Sequence, residues 1–306
     1  MYKKIIITGA TGLIGSQLSK ALSRKGYEII VFTRDKQKSK SNVSYAENYV
    51  EWDYRKPEDW QDYLENTYGV IHLAGANLAG KRFTESYKQK VMNSRKISTG
   101  NIVKALSSVK NKPVVFICAS GVNYYGEKGD VCLTEDSQSG DDFLAAVCKE
   151  WEKEAAKAES LGIRRVSIRT CPVLSREGGV LAPLFPLFKF YLGATLGDGK
   201  QWFPWIHLDD IINIYIKALE DEKISGAVNA AAPDYVTMND FAKQLGKAMH
   251  RPAAFRVPKI ILKALIGEAA DFITASMKVI PQKLKDAGFK FKYPLLKEAL
   301  NAIIRK

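Results

Sequence analysis

The sequence predicts an α/β fold: a doubly wound parallel sheet carrying a smaller, mostly helical C-terminal lobe. Three observations predict it. An apolar β-branched run, Ile5-Ile6-Ile7, leads straight into Gly9, Gly12 and Gly15, and an amphipathic stretch over 13–22 follows without a break. That is the pattern of a buried parallel strand, a tight turn and a helix start. Strand-like apolar runs then alternate with helical periods to about residue 170, as parallel strands joined by helical crossovers require. Beyond Arg176 the alternation loosens, yet no low-complexity linker intervenes. The expected division is a nucleotide-binding domain over 1–175, to which segments around 203–232 return, and a substrate-binding C-terminal lobe over 176–306.

The first turn carries the chemistry. Glycine lets the backbone approach a ligand closely, and a helix N-terminus offers unpaired N–H groups and a positive dipole end to phosphates. Gly9, Thr11, Gly12, Leu13, Ile14 and Gly15 are therefore the expected contacts to a pyrophosphate. A turn with only a packing role is the alternative, and the strand–helix context argues against it.

The second strand, over 28–33, ends at Arg34-Asp35, where a dinucleotide fold reads the adenosine ribose. A carboxylate there selects NAD and an arginine pairs with the 2′-phosphate of NADP. Arg34 comes first, and the stretch Lys36, Lys38, Ser39, Lys40, Ser41 also suits a phosphate, so NADP(H) is expected. A third strand is predicted over 49–52, a helix opened by Pro57 over 57–66, and a fourth strand over 70–74, followed by Gly75. His72, in mid-strand, reads as a packed histidine. A long helix follows over 86–107, a fifth strand over 114–118, a helix from Gly140-Asp141-Asp142 to about 160, and a sixth strand over 165–169. Later helices are predicted over 210–219, 238–249, 258–266 and 295–304.

Composition narrows the classes. No segment approaches the roughly 20 apolar residues of a transmembrane helix, and the chain enters a strand at once, so no secretory leader is expected and the expected compartment is the cytoplasm. Four cysteines without a C-x-x-C pair and three distant histidines predict neither a disulfide framework nor a metal site. The formal charge is +13. The basic residues are scattered and form no nucleic-acid-binding motif, so they read as a solvated surface that attracts anionic cofactors.

The G-x-x-G-x-x-G spacing with Thr11 inside it resembles the fingerprint of the short-chain dehydrogenase/reductase superfamily, in its extended branch. Further stretches narrow the resemblance. They are Leu73-Ala74-Gly75-Ala76-Asn77 with Ser94-Arg95, Gly140-Asp141-Asp142-Phe143-Leu144 with Trp151-Glu152, and Phe203-Pro204-Trp205-Ile206-His207. Val279-Ile280-Pro281 followed by Ala287-Gly288-Phe289 and Tyr293-Pro294 completes them. Together they resemble an atypical group within the NAD-dependent epimerase/dehydratase family that carries a small C-terminal domain, DUF1731, here at about 252–300. The resemblance spans essentially the whole chain and implies a Rossmann-type domain that binds NADP(H). It places Thr33 and Arg34 at the adenosine phosphate end, and Leu73, Ala74 and Gly75 along the bridging phosphates. Arg95 would reach the cofactor from the long helix, with Pro172 and Val173 against the nicotinamide.

It also implies a Tyr-x-x-x-Lys pair on the helix after the fifth strand, the phenol exchanging a proton with substrate and the lysine lowering its pKa. Phe143, Val147 and Trp151 share one helical face. Phe143 falls where the tyrosine belongs and Val147 where the lysine belongs, and neither transfers a proton. Gly121 takes the place of the substrate-orienting serine, with Ser120 beside it. Tyr124 with Lys128, and Tyr293 with Lys297, match the spacing but lie in a glycine-rich loop and in the tail. The expected substitute is Tyr125, with Ser120; Tyr124, Asp141 and His207 are further candidates. Each has a bland alternative: packed rings, a helix cap, a satisfied core histidine. Tyr124, Trp205 and His207 are expected to line a substrate pocket, with Trp202 and Phe203 adding aromatic surface.

The function expected is an NADP(H)-dependent oxidoreductase or epimerase/dehydratase-like enzyme that transfers hydride on an unknown small molecule. The alternative is a catalytically silent NADP(H)-binding redox sensor or partner-binding protein. A small-molecule substrate is the expected partner, with no nucleic acid and no membrane, and a homodimer is left open.

Overall fold

Seven strands form the central sheet of the computed structural model, in which residues 3–78 and 82–305 are described. They are β1 (Lys4–Thr8), β2 (Glu28–Thr33), β3 (Asn48–Glu51), β4 (Gly69–His72), β5 (Val115–Gly121), β6 (Arg164–Thr170) and β7 (Gly226–Ala230). Their order is β7-β6-β5-β4-β1-β2-β3, and every pairing is parallel. The order reverses at β1. A sheet of this kind opens a crevice at such a reversal, beyond the carboxyl ends of the strands.

The strands read as continuous apolar runs because both faces of the sheet are covered. Ile5 and Ile7 join Leu18, Leu22, Val31 and Ile117 in one core cluster. Ile6 points the other way, into a second with Phe32, Trp60, Leu106, Phe116 and Trp151. The helices on these faces include α1 (Leu13–Arg24), α2 (Lys36–Asn42), α3 (Glu85–Ser108) and α4 (Phe143–Ala156). A third, smaller cluster contains Phe83, Leu144, Val147, Phe143 and Phe272.

The rest is mostly helical: α5 (Leu184–Lys189), α6 (Leu208–Glu220), α7 (Met238–Met249), α8 (Lys259–Ile266), α9 (Ala269–Thr274), α10 (Gln282–Asp286) and α11 (Leu296–Arg305). It is knitted to the sheet. β7 pairs with β6, and the buried Asp210 accepts hydrogen bonds from the Lys292 and Tyr293 amides.

Three elements differ from expectation. Residues 57–66 form two 3-10 turns, Pro57–Asp59 and Gln61–Leu64, because Trp60 between them turns inward against Phe32 and Trp52. The basic stretch after Arg34 is helix α2. Its Ser39 is buried and hydrogen-bonded to Thr33 at 2.6 Å, so it is not a phosphate donor. Helix α4 starts later than predicted and is capped by Asp142, whose carboxylate accepts from the Ala145 amide, rather than by Asp141.

Candidate dinucleotide site and proton-transfer corner

The first strand–helix junction is closed too tightly for any side chain. Gly9 lies at φ +69°, and a Cβ there would stand 2.9 Å from the Leu73 carbonyl carbon and the Ala74 nitrogen. A Cβ on Gly15 would fall 2.3 Å from the Gly9 carbonyl oxygen. Glycine alone meets both demands. Gly12 caps α1 without any side-chain hydrogen bond, which leaves the first-turn N–H groups and the dipole end for an anion. Leu13 packs on Gly178 and Gly179, and Gly179 lies directly under the Val173 carbonyl. The structure thus brings the glycine turn, the Leu73–Ala74 segment and Val173 together at the carboxyl edge of the sheet.

The end of β4 is fixed by a buried chain of hydrogen bonds whose directions the geometry assigns. Ser98 Oγ donates to the Ser94 carbonyl at 2.7 Å, so it accepts from His72 Nε2 at 3.0 Å. His72 Nδ1 then accepts from the Thr8 hydroxyl at 2.7 Å, and Thr8 Oγ1 accepts from the Ala74 amide at 3.2 Å. Burial, with the Arg95 cation nearby, drives the imidazole from its usual 6.5 down to about 3. His72 is the packed, neutral histidine expected.

Arg95 is buried beside Gly75, its guanidinium over the Trp151 ring at 4.9 Å. Its Nη1 donates to the Val91 carbonyl and Ser94 Oγ, and Nη2 to the Ala76 carbonyl. It has no carboxylate partner among the described residues. A buried cation without a counter-charge is costly, and an anionic group brought by a ligand would offset that cost.

At the adenosine end, two adjacent residues separate. The Asp35 carboxylate caps α2, accepting from the Lys38 amide at 3.0 Å. Arg34 is exposed and makes no hydrogen bond or ion pair among the described residues. Thr33 is turned inward to Ser39.

The opposite corner is apolar. Phe143 meets Phe83 with ring centroids 6.0 Å apart, and Phe83 meets Phe272 at 5.4 Å. Val147 is buried in the same cluster.

The proposed substitute donors are engaged elsewhere. Tyr125 is fully buried. Its hydroxyl donates to Asn229 Oδ1 at 2.6 Å and accepts from Arg169 Nη1 at 2.9 Å. Burial raises its pKa, although Arg169 opposes the rise. That is the environment of a structural phenol, not of one poised to exchange a proton. Ser120 is buried and donates to Glu152 Oε1 at 2.7 Å. His207 caps α6, its Nδ1 accepting from the Asp209 amide, and stacks on Tyr293. Trp205 is buried, with its indole N–H on the Asp234 carbonyl, and Trp202 donates to Asp130. Of the residues expected to line a pocket, His207 serves as a helix cap and Trp205 packs in the core. Tyr124 alone keeps a half-buried ring and a hydroxyl without a hydrogen bond among the described residues.

Sequence reasoning missed the pair beneath these residues. Arg169, at the end of β6, donates from Nε and Nη2 to both Glu152 oxygens at 2.9 and 2.8 Å, and lies over the Tyr124 ring at 3.5 Å. Burial disfavours its charge, but Glu152 outweighs burial and holds it firmly protonated. A charged residue closing a buried strand was the available signal.

A parallel sheet with this glycine cradle at its reversal point defines a Rossmann-type dinucleotide-binding fold. Residues 5–231 match the NAD dependent epimerase/dehydratase family and 257–303 match DUF1731, a domain of unknown function. The chain belongs to the NAD dependent epimerase/dehydratase family. The epimerase family protein SSP1921 of Staphylococcus saprophyticus is 38% identical over 306 residues, covering 99% of each chain. The chloroplastic epimerase family protein SDR39U1 homolog of Arabidopsis thaliana is 36% identical over 303 residues, covering 98% of this chain and 86% of that protein. Human epimerase family protein SDR39U1, solved with NADPH, superimposes with a TM-score of 0.88 at 28% identity and 99% coverage of both chains.

Proposed function

We propose that this chain binds NADPH in preference to NADH and serves hydride transfer to or from a small molecule other than a UDP-sugar. The carrying observation is the separation after β2: Asp35 is committed to a helix cap while Arg34 stands free. A free guanidinium suits a 2′-phosphate, and a carboxylate already accepting an amide is a poorer partner for ribose hydroxyls. The NADPH in the human relative's structure supports this reading.

Bound NADPH supplies a hydride. The residues of this chain would bind and orient it: the α1 N-terminus would take the diphosphate, Arg95 would meet an anionic oxygen beside Gly75, and Pro172 with Val173 would border the nicotinamide. Phe83, Phe143, Val147 and Phe272 keep water from the corner. Tyr124, held from below by Arg169, is the phenol left to hold a proton at a substrate oxygen.

A second reading, a silent NADPH-binding protein, is favoured by that same packed corner, where neither Phe143 nor Val147 can exchange a proton. NADPH oxidation with a panel of aldehydes and ketones separates the two. Turnover that falls with Tyr124→Phe supports the first. Tight NADPH binding without turnover supports the second.

A further inference from the structure

We propose that the outward face of α8, with the adjoining turn after α5, docks on an anionic lipid surface. Helix α8 reads Lys-Ile-Ile-Leu-Lys-Ala-Leu-Ile, and only Leu262 is buried. Ile260 is 76% exposed and Leu265 65%, with Ile261 beside them. Helix α5 exposes Leu187, and the turn after it exposes Phe190, Tyr191 and Leu192. The two segments adjoin. Phe255, itself exposed, donates its amide to the Gly193 carbonyl, and Phe255–Val257 pairs with Ala194–Leu196 before the chain enters α8. Contiguous apolar exposure of this kind marks an interaction surface.

Tyr191 adds a second sign. It holds φ +63°, a left-handed conformation that is uncommon for a bulky residue, and its ring stays out in water with Arg251 over it at 4.6 Å.

Charge chooses the occupant. Lys189, Arg251, Arg256, Lys259 and Lys263 flank the apolar side chains. The acids nearby are Asp271, which pairs with both lysines of α8, Glu268, which pairs with Lys88, and Glu127, Asp130 and Asp198, which share a cavity with Lys259 and Lys200. The chain as a whole carries +13. A second copy would meet like charge. An apolar strip rimmed by lysine and arginine fits the boundary of an anionic bilayer. No membrane partner is expected from spanning length, and no helix among the described residues is long and apolar enough to span. A helix lying on the surface needs no such length.

The test is co-sedimentation of the full chain with phosphatidylglycerol/phosphatidylcholine vesicles and with phosphatidylcholine vesicles, at low and high salt. Binding to the anionic vesicles, weakened by salt, is expected. The double variant Ile260→Ser, Leu265→Ser should lower it at least about tenfold. Both positions face water, so the variant's thermal unfolding should match that of the parent. Four outcomes would overturn the proposal: no vesicle binding, equal binding to neutral vesicles, an unchanged double variant, or light scattering in which the same substitutions abolish a dimer while vesicles bind nothing.

Discussion

Gly9 and Gly15 stand so close to their neighbours that a single added carbon would meet another atom within 3 Å, whereas Phe143 and Val147 sit in a packed apolar cluster. Both regions lie at the carboxyl edge of one sheet. The first is closed by its own backbone neighbours and leaves the N-terminus of α1 without a side-chain cap, which suits an anion. The second is shaped by packing. The fold thus keeps a dinucleotide-type turn beside a corner whose Phe143 and Val147 cannot exchange a proton.

The largest effect expected of that contrast is a negative one. With NAD(H) or NADP(H) and UDP-glucose or UDP-galactose, the protein should form no epimer. General acid–base catalysis contributes about 100- to 10,000-fold, and Phe143 and Val147 supply none of it. Robust epimer formation would show that another group has taken over the proton and would erase the contrast. Carbonyl reduction gained by Phe143→Tyr with Val147→Lys would sharpen it.

A smaller effect probes what supports the corner. Glu152→Gln leaves the Arg169 guanidinium buried without a counter-charge and should cost about 3–5 kcal/mol in denaturant unfolding. Glu152→Leu combined with Arg169→Met should cost less, because no charge is then stranded. Equal losses in the two variants would mean that the stranded charge is not what the first one costs.

On the cofactor side, His72 makes stability depend on pH. Its folded pKa, about 3, lies below the usual 6.5. The unfolded chain therefore binds a proton between those values that the folded chain refuses. The contribution is full above about pH 6.5 and falls by about 1.4 kcal/mol per pH unit on acidification toward 3. Unfolding midpoints of the parent and of His72→Gln, followed between pH 7 and pH 4 as an order-of-magnitude window, should converge by about that slope. Parallel curves would mean that His72 already carries its proton.

Much of this was legible in the residues. Apolar runs and glycines declared the sheet and the turn because a buried parallel strand and a close backbone approach each restrict residue type. Helix α2 was not legible, since Lys36–Asn42 has no apolar period and owes its start to the Asp35 cap. That Trp205 lies in the core and His207 caps a helix was not legible either, because the contacts of the indole N–H and of Nδ1 leave no trace in the sequence. The Glu152–Arg169 pair joins residues from a helix and a strand, and spacing along the chain carries no trace of such a contact.

The central claim, a cradle that reads NADPH through Arg34, is tested most directly by titrating NADPH and NADH against the parent protein and Arg34→Ala. Loss of a charge-assisted contact should weaken NADPH by about 10- to 100-fold and leave NADH nearly unchanged. Equal losses for both cofactors, or tighter NADH than NADPH binding by the parent, would contradict the account.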